Sequence, residues 1–285
     1  MGGAVFKHAV FGQPIAHSLS PRIHSAFAAQ FGIAIEYRAI EAGVETFANE
    51  LAAFAHAGGS GANVTLPLKQ IAVAQCAQVT ERATRSGSVN TLTWRNGEWF
   101  GDTTDGVGFV RDLEGRYGCV LAGRHTLLLG AGGAARAVAC ALIDAGVDSL
   151  TIANRTHERA AELATAFIGS GDVRVCRWNE ISATGALDLV VNAISAGHHD
   201  GAQFPRLGGL ASNAVCYDLS YGVAAQAFLA WANAAGAARV FDGLGMLVEQ
   251  AAESFSIWHG RKPETQAIFD DLRREQVERS RQTPG

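Results

Sequence analysis

This 285-residue sequence has few of the features of a membrane protein, a secreted protein or a disulfide-bonded protein. No apolar run is long enough to cross a bilayer. The N-terminal MGGAVFKHAVFG lacks the basic, apolar and small segments of a signal peptide, so we expect a first strand there. The five cysteines are odd in number, widely spaced and without a CxxC pair. This argues against a disulfide framework, and we expect reduced thiols in a cytoplasmic protein.

The sequence also has no excess of basic residues and no cluster of residues that typically bind a metal. Lysine and arginine total 23 against 27 aspartates and glutamates, which gives a formal net charge of -4. No positive field points to nucleic acid or to an anionic membrane surface, and we expect neither as a partner. The 9 histidines include no HExxH pair and no Cys/His cluster. We therefore expect no metal site.

Glycine is the one residue type in excess, with 33 copies spread along the chain. This spread is typical of repeated strand-to-helix turns, and no internal repeat or low-complexity linker accompanies it. The length predicts about two domains. We place one domain at residues 1-105, completed by C-terminal helices at about 246-285, and the other at residues 106-245.

The stretch HTLLLGAGGAARAVACALIDAG, residues 125 to 146, predicts a buried strand, a glycine turn and a long helix. A short, continuous apolar run is typical of a parallel strand that is covered on both faces. Gly130, Gly132 and Ala135 occupy the fixed positions of G-x-G-x-x-A. Such a turn lets a diphosphate approach the free N–H groups of the helix N-terminus. A glycine turn that binds no ligand is the alternative, and we favour the nucleotide site.

Strands and helices alternate from about Gly106, with predicted strands near 125–129, 149–153, 173–177, 187–191, 214–218 and 239–241. Six strands in this arrangement predict a doubly wound sheet. An NAD-binding protein carries an acidic residue after the second strand, but this chain has Asn154, Arg155, Thr156 and Arg159. Arginines there bind the 2′-phosphate of NADP, which an acid would repel. The sequence therefore predicts NADP, with plain solvated charge as the alternative.

Two hydroxyl groups precede a predicted helix in GQPIAHSLSPRIHSAFAAQFG. Ser20 before Pro21 is typical of a helix start with a capping hydroxyl, and Gly32 is typical of a helix end. One interpretation is that Ser18 and Ser20 only shape and cap this turn. The other is that they form an anion site suited to a carboxylate. The residues by themselves favour the first interpretation.

A lysine stands at an electrostatically unfavourable place in GGSGANVTLPLKQ. Residues 62 to 65 predict a strand and Pro67 predicts a helix start, which puts Lys69 near the positive end of the helix dipole. If Lys69 lines a cleft, the dipole eases its deprotonation, which suits a residue that exchanges a proton. A plain surface lysine is the alternative.

A hairpin with Asn96-Gly97 at its turn is predicted in GSVNTLTWRNGEWFGDTTDGVG. The hairpin places Asn90 at the start of a strand and Asp105 just before a helix. Asp105 is either the cap of that helix or the carboxylate partner of a lysine.

Eight motifs in register resemble the shikimate dehydrogenase family, from the first strand to about residue 265. They are GQPIAHSLSPRIH, GANVTLPLK, GSVNTL, GDTTDGVG, LLLGAGGAARA, NRTHER, DLSY and DGLGMLVEQA. The resemblance implies an α/β fold in which an N-terminal substrate domain and a Rossmann-type, doubly wound NADP-binding domain enclose a cleft. It also implies an oxidoreductase that reversibly reduces 3-dehydroshikimate to shikimate with NADPH, in aromatic amino acid and chorismate biosynthesis.

The resemblance further implies roles for individual residues. Lys69 would exchange a proton with the reacting oxygen, while Asp105 orients the lysine and stabilises its charged form. The substrate carboxylate would be held by Ser18, Ser20 and Tyr221. The ring hydroxyls would be held by Thr65, Asn90, Asp105 and Gln250. The cofactor would be bound by Gly130, Ala131, Gly132, Gly133, Ala134, Ala135, Asn154, Arg155, Thr156 and Arg159, with Gly243 and Met246 beside the nicotinamide.

The chain departs from the usual family pattern in three places. Thr103 stands where asparagine is usual, Ile194 stands where threonine is usual, and GVAAQA follows Tyr221 in place of a more polar run with proline. Two rival functions are a quinate/shikimate dehydrogenase of broader specificity and a non-catalytic NADP-binding sensor. The paired serines favour the narrower enzyme, and the intact set around Lys69 favours catalysis. Monomer and homodimer are both compatible with the sequence.

Overall fold

The computed structural model describes residues 5–183, 185–194, 204–205, 207 and 209–282. Its internal contacts divide the chain into two compact units. Unit 1 comprises Met1–Gly108 and Val248–Gly285, and unit 2 comprises Phe109–Leu247. No helix among the described residues is long and apolar enough to cross a bilayer.

Twelve strands and nine α-helices are formed by the described residues. The strands are β1 Phe6–Gly12, β2 Ile35–Glu41, β3 Gly59–Val64, β4 Gln78–Val79, β5 Thr91–Arg95, β6 Glu98–Asp102, β7 His125–Leu129, β8 Ser149–Ala153, β9 Val173–Cys176, β10 Leu189–Asn192, β11 Val215–Asp218 and β12 Arg239–Phe241. The helices are α1 Ser20–Phe31, α2 Phe47–His56, α3 Glu81–Ser86, α4 Asp105–Val110, α5 Gly133–Asp144, α6 His157–Thr165, α7 Gln226–Ala234, α8 Leu244–His259 and α9 Gln266–Gln282.

The sheet of unit 1 is mixed, with the strand order β2-β1-β3-β5-β6-β4. β1 pairs with β2 and β3 in parallel, whereas β5 pairs with β3 and β6 in the antiparallel sense. The predicted hairpin turn joins β5 to β6, because Asn96 and Gly97 both adopt the positive φ that a tight hairpin needs. This order places the carboxyl end of β3, the start of β5 and the end of β6 in adjacent positions.

Two predicted helix starts in unit 1 differ from the structure. α1 begins at Ser20, so the cap position belongs to Leu19 and no side chain caps the helix. The hydroxyl that reaches this turn is that of Ser18, which accepts a hydrogen bond from the Ser20 backbone N–H at 3.3 Å. The prediction that Ser20 caps the helix was therefore wrong by one position. The exact first residue of a helix depends on backbone geometry, which the presence of a serine does not fix.

The second difference concerns Pro67, which does not begin an α-helix. Residues 66 to 70 form turns, and a short 3-10 helix follows at Ile71–Gln75. Lys69 thus precedes that segment and does not lie in the first turn of an α-helix. The dipole argument for Lys69 was therefore wrong, because a substantial macrodipole needs several aligned helical turns.

The sheet of unit 2 has the order β12-β11-β10-β7-β8-β9, and every recorded pairing in it is parallel. Numbered within the unit, this is the 3-2-1-4-5-6 order of a doubly wound nucleotide-binding fold. The predicted fold class is confirmed. Leu127, Leu128 and Leu129 are all fully buried, as a parallel strand covered on both faces requires. The order also reverses beside β7, which is where such folds bind their ligands.

Gly245 allows a close contact between α8 and the residues that follow α4. Asp112 lies in the turn of π-helix at Arg111–Arg116, and it accepts a hydrogen bond from the Tyr217 hydroxyl at 2.7 Å. A Cβ atom at Gly245 would stand 1.8 Å from an Asp112 carboxylate oxygen. Only glycine fits there without displacing this fully buried carboxylate.

Candidate active site and nucleotide site

Lys69 and Asp105 form an ion pair in unit 1. Lys69 Nζ lies 2.6 Å from Asp105 Oδ2, and the two side chains are 15% and 4% exposed. Asp105 is the first residue of α4. The turn that carries Lys69 is fixed by a hydrogen bond from the Val89 N–H to the Lys69 carbonyl at 2.9 Å. The predicted contact between this lysine and this carboxylate is therefore present, in a largely desolvated place where a proton-exchanging group has little competition from water.

Asn90 joins this ion pair to Gln250. Its Nδ2 donates to Asp105 Oδ1 at 2.9 Å and to Gln250 Oε1 at 3.1 Å. Its Oδ1 accepts the backbone N–H of Thr104 at 2.8 Å. Because a backbone N–H can only donate, this contact determines which way the Asn90 amide is turned. Four of the predicted residues therefore meet in one buried network, although Gln250 comes from α8 near the other end of the chain.

Ser18, Ser20 and Thr65 lie outside that network. Among the described residues, no recorded hydrogen bond joins their side chains to Lys69, Asp105 or Asn90. Thr65 directly follows β3, and its backbone N–H donates to the Phe11 carbonyl at 2.8 Å. The two serines lie at the start of α1, and Ser20 is 6% exposed.

Tyr37 contacts Ser20 from the neighbouring strand β2. Burial raises the pKa of the Tyr37 hydroxyl, and a hydrogen bond with the Ser20 side chain acts in the opposite direction. The same hydroxyl donates to Asn63 Oδ1 at 2.7 Å. Asn63 in turn donates to the Asn90 carbonyl at 3.1 Å, so buried polar groups link the serine turn to the residues around Asp105.

The glycine turn of unit 2 fits a diphosphate. Gly130 has a φ of +113°, and a Cβ atom there would stand 2.9 Å from the Ala193 carbonyl oxygen. At Gly132, which precedes the first residue of α5, a Cβ atom would meet nothing within 4 Å. Gly132 is therefore free of any packing requirement, and its bare backbone leaves room for an anion beside the helix N–H groups. Ala135 is fully buried and packs the helix against the sheet.

The residues after β8 are suited to the 2′-phosphate of NADP. Asn154 Nδ2 donates to the Thr156 carbonyl at 2.8 Å and shapes the turn. Arg155 and Arg159 are exposed, and the described part of the chain offers no recorded side-chain partner to either guanidinium. Thr156 is the cap residue of α6, which places Arg159 in the first helical turn. Exposed cations at a helix start are electrostatically unfavourable unless an anion joins them.

The residues on either side of Tyr221 are hydrogen-bonded to two buried carboxylates, one at the end of β11 and one directly after β12. Asp218 Oδ1 accepts the Ser220 N–H at 2.8 Å, and Asp242 Oδ2 accepts the Gly222 N–H at 3.4 Å. Burial raises the pKa of Asp218 to about 7, although hydrogen bonds from Ser220 and Asn192 oppose that shift. Burial also raises the pKa of the Tyr221 hydroxyl.

Gly243 and Met246 follow β12. A Cβ atom at Gly243 would stand 2.3 Å from the Leu219 carbonyl oxygen, so the chain passes the β11 end at a distance that only glycine allows. Met246 is 6% exposed and packs in the core of unit 2. Ile194 lies two residues after the end of β10 and is half-buried, and its N–H donates to Asn192 Oδ1 at 3.2 Å.

Several residues of the site were missed by the sequence reasoning. Asn63, Thr91, Thr104 and Ser254 are all buried and hydrogen-bonded within the network around Asn90. The available signal was polarity inside an apolar context, since Asn63 interrupts the buried strand β3 and Ser254 lies on an apolar face of α8. Thr103 is buried beside them, and its hydroxyl has no recorded partner among the described residues.

An all-parallel, doubly wound sheet with a glycine turn, together with a largely buried lysine–aspartate pair, is typical of a nucleotide-dependent oxidoreductase. Family models match this chain along most of its length. They are described as the shikimate dehydrogenase substrate binding domain at residues 10–92, shikimate / quinate 5-dehydrogenase at residues 115–199, and the shikimate 5'-dehydrogenase C-terminal domain at residues 243–268. The chain belongs to the shikimate dehydrogenase family.

Individual relatives agree with this assignment. The chain is 52% identical over 268 residues to shikimate dehydrogenase (NADP(+)) of Stenotrophomonas maltophilia strain K279a, covering 94% of this chain and 95% of the relative. An Ael1 enzyme from Pseudomonas putida has a similar structure, with a TM-score of 0.85 at 37% identity over 94% of this chain and 98% of its own. Shikimate 5-dehydrogenase of Thermus thermophilus, solved with NADP(H) and shikimate, gives a TM-score of 0.81 at 34% identity over 94% and 99%.

Proposed function

We propose that this chain catalyses the reversible, NADP-dependent reduction of 3-dehydroshikimate to shikimate. The observation that carries the proposal is the buried Lys69–Asp105 ion pair with Asn90 and Gln250 around it. A chain that had kept only nucleotide binding would have no reason to keep a desolvated lysine and three polar partners together, because burying such groups costs free energy. The non-catalytic sensor is therefore disfavoured.

Lys69 acts as the general acid in the reduction and as the general base in the reverse reaction. In the reduction its ammonium gives a proton to the ring carbonyl oxygen, while bound NADPH supplies the hydride to the carbon. In the oxidation the neutral amine takes the proton back from the hydroxyl. Asp105 orients the lysine and stabilises its ammonium form, since its carboxylate lies 2.6 Å from Nζ.

Substrate binding follows from groups of unit 1, together with Tyr221. Ser18, Ser20 and Tyr221 hold the carboxylate of the substrate with hydroxyl donors. Asn90 and Gln250 hold ring hydroxyls, with Thr65 and Asp105. Asn90 Nδ2 donates to Gln250 Oε1 at 3.1 Å, so each amide orients the other. Such pre-organisation lowers the entropy cost of binding.

NADP is bound by unit 2. The turn of Gly130 to Ala135 holds the diphosphate, and Arg155 and Arg159 hold the 2′-phosphate with Asn154 and Thr156. Gly243 and Met246 lie beside the nicotinamide. The fit is supported by the open space at Gly132 and by the two exposed guanidinium groups. Accordingly, we assign residues 1-105 and about 246-285 to substrate binding and residues 106-245 to the cofactor.

The direct test is a turnover assay that follows NADPH absorbance. The purified protein should oxidise shikimate with NADP and reduce 3-dehydroshikimate with NADPH. Parallel assays with quinate, and with NAD in place of NADP, measure specificity as ratios of kcat/KM. Absence of turnover in both directions, with NADPH still bound, would contradict the proposal and favour the sensor.

The broader quinate/shikimate dehydrogenase is the second candidate function. The family model that matches residues 115–199 is described for both substrates, which is the observation that favours it. We propose the narrower enzyme because two hydroxyl groups, Ser18 and Ser20, are available at the start of α1. Comparable kcat/KM values for quinate and shikimate would establish the broader enzyme instead. We further propose that the protein is cytoplasmic, that it is a monomer or a homodimer, and that it binds no nucleic acid. Sedimentation with and without added DNA tests the oligomeric state and the absence of nucleic-acid binding.

A further inference from the structure

Three buried hydroxyl groups lie beside Asn90 in unit 1. We call Thr91, Thr104 and Ser254 the hydroxyl cluster. Thr91 Oγ1 lies 2.8 Å from Ser254 Oγ and 3.3 Å from Thr104 Oγ1, and the last two oxygens are 3.2 Å apart. All three residues are 0% exposed. Since a buried hydroxyl is costly unless it is hydrogen-bonded, this triangle tolerates little displacement of its members.

Ser254 connects the cluster to α8 and β3. Its hydroxyl is placed to donate to the Gln250 carbonyl, one helical turn earlier, at 3.0 Å. It also accepts from Asn63 Nδ2 at 3.0 Å. The chain positions of Asn63 and Ser254 differ by 191. The Ser254 side chain therefore connects α8, which carries Gln250, to the sheet that leads to Asn90.

The hydroxyl cluster also contacts the Asn90 amide, whose orientation is set by the Thr104 backbone N–H. The hydroxyls of Thr91 and Thr104 lie 2.9 Å and 3.1 Å from Asn90 Oδ1, with geometry that lets each donate to it. With Oδ1 occupied on this side, Nδ2 is turned toward Asp105 and Gln250. A flipped amide would point its N–H groups at the Thr104 backbone N–H, which cannot accept.

We propose that Ser254 is a positioning residue for the reaction. Its hydroxyl holds α8 and the hydroxyl cluster in the one arrangement in which Asn90, Asp105 and Gln250 meet. It acts through Asn90 and Gln250 and supplies no group of its own to the substrate. The inference rests on the proposed function, because the positions of Asn90 and Gln250 affect turnover only if these residues hold the substrate.

Ser254→Ala and Ser256→Ala form a matched pair for the test. Ser256 lies on the same helix, and its hydroxyl makes the same type of bond, to the Ala252 carbonyl at 2.9 Å, but outside the cluster. We expect Ser254→Ala to lower kcat/KM for shikimate about tenfold, the size expected for one lost buried hydrogen bond, and Ser256→Ala to leave it nearly unchanged. The Kd for NADPH should not change in either variant.

A double-mutant cycle separates positioning from a general loss of stability. If Ser254 acts through Gln250, then Ser254→Ala in a Gln250→Ala background should cost less than it does in the parent protein. A purely structural role would lower the Tm and leave kcat/KM of the folded protein as it was, with no coupling to Gln250. That result would overturn the proposal.

Side-chain amide NMR signals give a readout that does not depend on turnover. Ser254→Ala should shift the amide signals of Asn90 and Gln250, and Ser256→Ala should not. Thr91→Val, which removes another hydroxyl of the cluster at similar volume, provides the same comparison if Ser254→Ala does not fold. If the parent protein fails to oxidise shikimate, the proposed function fails, yet these signals still decide the positioning role. Unshifted signals would refute it.

Discussion

Lys69 Nζ and Asp105 Oδ2 lie 2.6 Å apart, although their chain positions differ by 36. The contact joins the turn after β3 to the first residue of α4, and both side chains are mostly withdrawn from water. Because breaking a buried ion pair leaves an uncompensated charge, substitutions here affect both stability and chemistry. Kinetic tests of this pair therefore need a measurement of folding beside them.

Replacement of Lys69 should abolish most of the turnover. We expect Lys69→Ala to lower kcat by about 10²–10⁴-fold with little change in KM, because general acid–base catalysis contributes about that factor and the lysine acts on the transition state. Steady-state kinetics with shikimate and NADP check this, and circular dichroism checks the fold. A variant with most of its turnover intact would show that another group exchanges the proton.

Asp105→Asn tests the partner with almost no change of shape. The amide cannot stabilise the ammonium of Lys69, and we expect kcat to fall about 10- to 150-fold, as for the loss of a charged hydrogen bond. Asp102→Asn is a suitable comparison. That carboxylate pairs with Arg82 at 2.7 Å at the end of β6 and takes no part in the proposed chemistry. Equal losses of kcat in the two variants would argue against a specific role for Asp105.

Arg155 and Arg159 should determine the preference for NADP. Arg155→Gln or Arg159→Gln should raise KM for NADPH about 10- to 150-fold, because each removes one charged hydrogen bond to the 2′-phosphate. Kinetics with NADH should stay the same, since NADH lacks that phosphate. Arg174→Gln is the control, because Arg174 is also exposed in unit 2 but pairs with Asp172. If the parent protein uses NAD as well as NADP, the interpretation of both arginines is wrong.

Two glycine substitutions should separate cofactor binding from folding. Gly132→Ala adds a methyl group to open space at an ordinary φ of -78°, so we expect unchanged stability but weaker NADPH binding. Gly245→Ala forces a Cβ atom to within 1.8 Å of the Asp112 carboxylate, so we expect a large loss of stability. Fluorescence titration with NADPH and thermal unfolding measure the two effects. Unchanged NADPH affinity in Gly132→Ala would exclude a diphosphate at this turn.

Acid should destabilise the protein through its buried imidazoles. Burial and the neighbouring His259, whose Nε2 lies 3.1 Å from that of His8, lower the pKa of His8 from 6.5 to about 3. Between these two pKa values, His8 is protonated in the unfolded chain and neutral in the folded chain. Stability is complete above the unfolded pKa and is lost as the pH falls below it, by up to about 1.4 kcal/mol per pH unit for one such group.

His8→Gln should reduce that pH dependence, because glutamine does not titrate. Urea unfolding of the parent protein and the variant between about pH 8 and pH 5 gives the difference in slope, which reports His8 together with its effect on the neighbouring His24. His56→Gln is the control, since His56 is exposed on α2. A His8→Gln slope that matches the parent slope would mean that His8 titrates alike in the folded and unfolded chains.

Much of the structure of unit 2 could be predicted from local sequence patterns. Three consecutive leucines and a glycine turn specified β7, the turn after it and α5, because a buried parallel strand and a tight turn each have a direct sequence signature. The location of the arginines after β8 could also be predicted, since it follows from where that strand ends. The predicted strands of unit 2 agree with the observed ones to within two residues, and boundaries of this kind are where sequence patterns are least informative.

The arrangement around Lys69 was decided by tertiary contacts. Proline predicted an α-helix start at Pro67 that is not there, and α1 does begin at Ser20 but without Ser20 as its cap. The surrounding fold, and not the local propensity, sets the path of a turn. Ser254 shows the same limit more strongly. Its partner Asn63 lies 191 positions away, and no local pattern encodes a hydrogen bond across that separation. The sequence by itself determined which residue types, a lysine, a carboxylate and a glycine turn followed by arginines, the chain offers for the proposed chemistry. Only the folded chain brought Gln250 and Ser254 to Asn90, because burial forces every polar group in that network to find a partner.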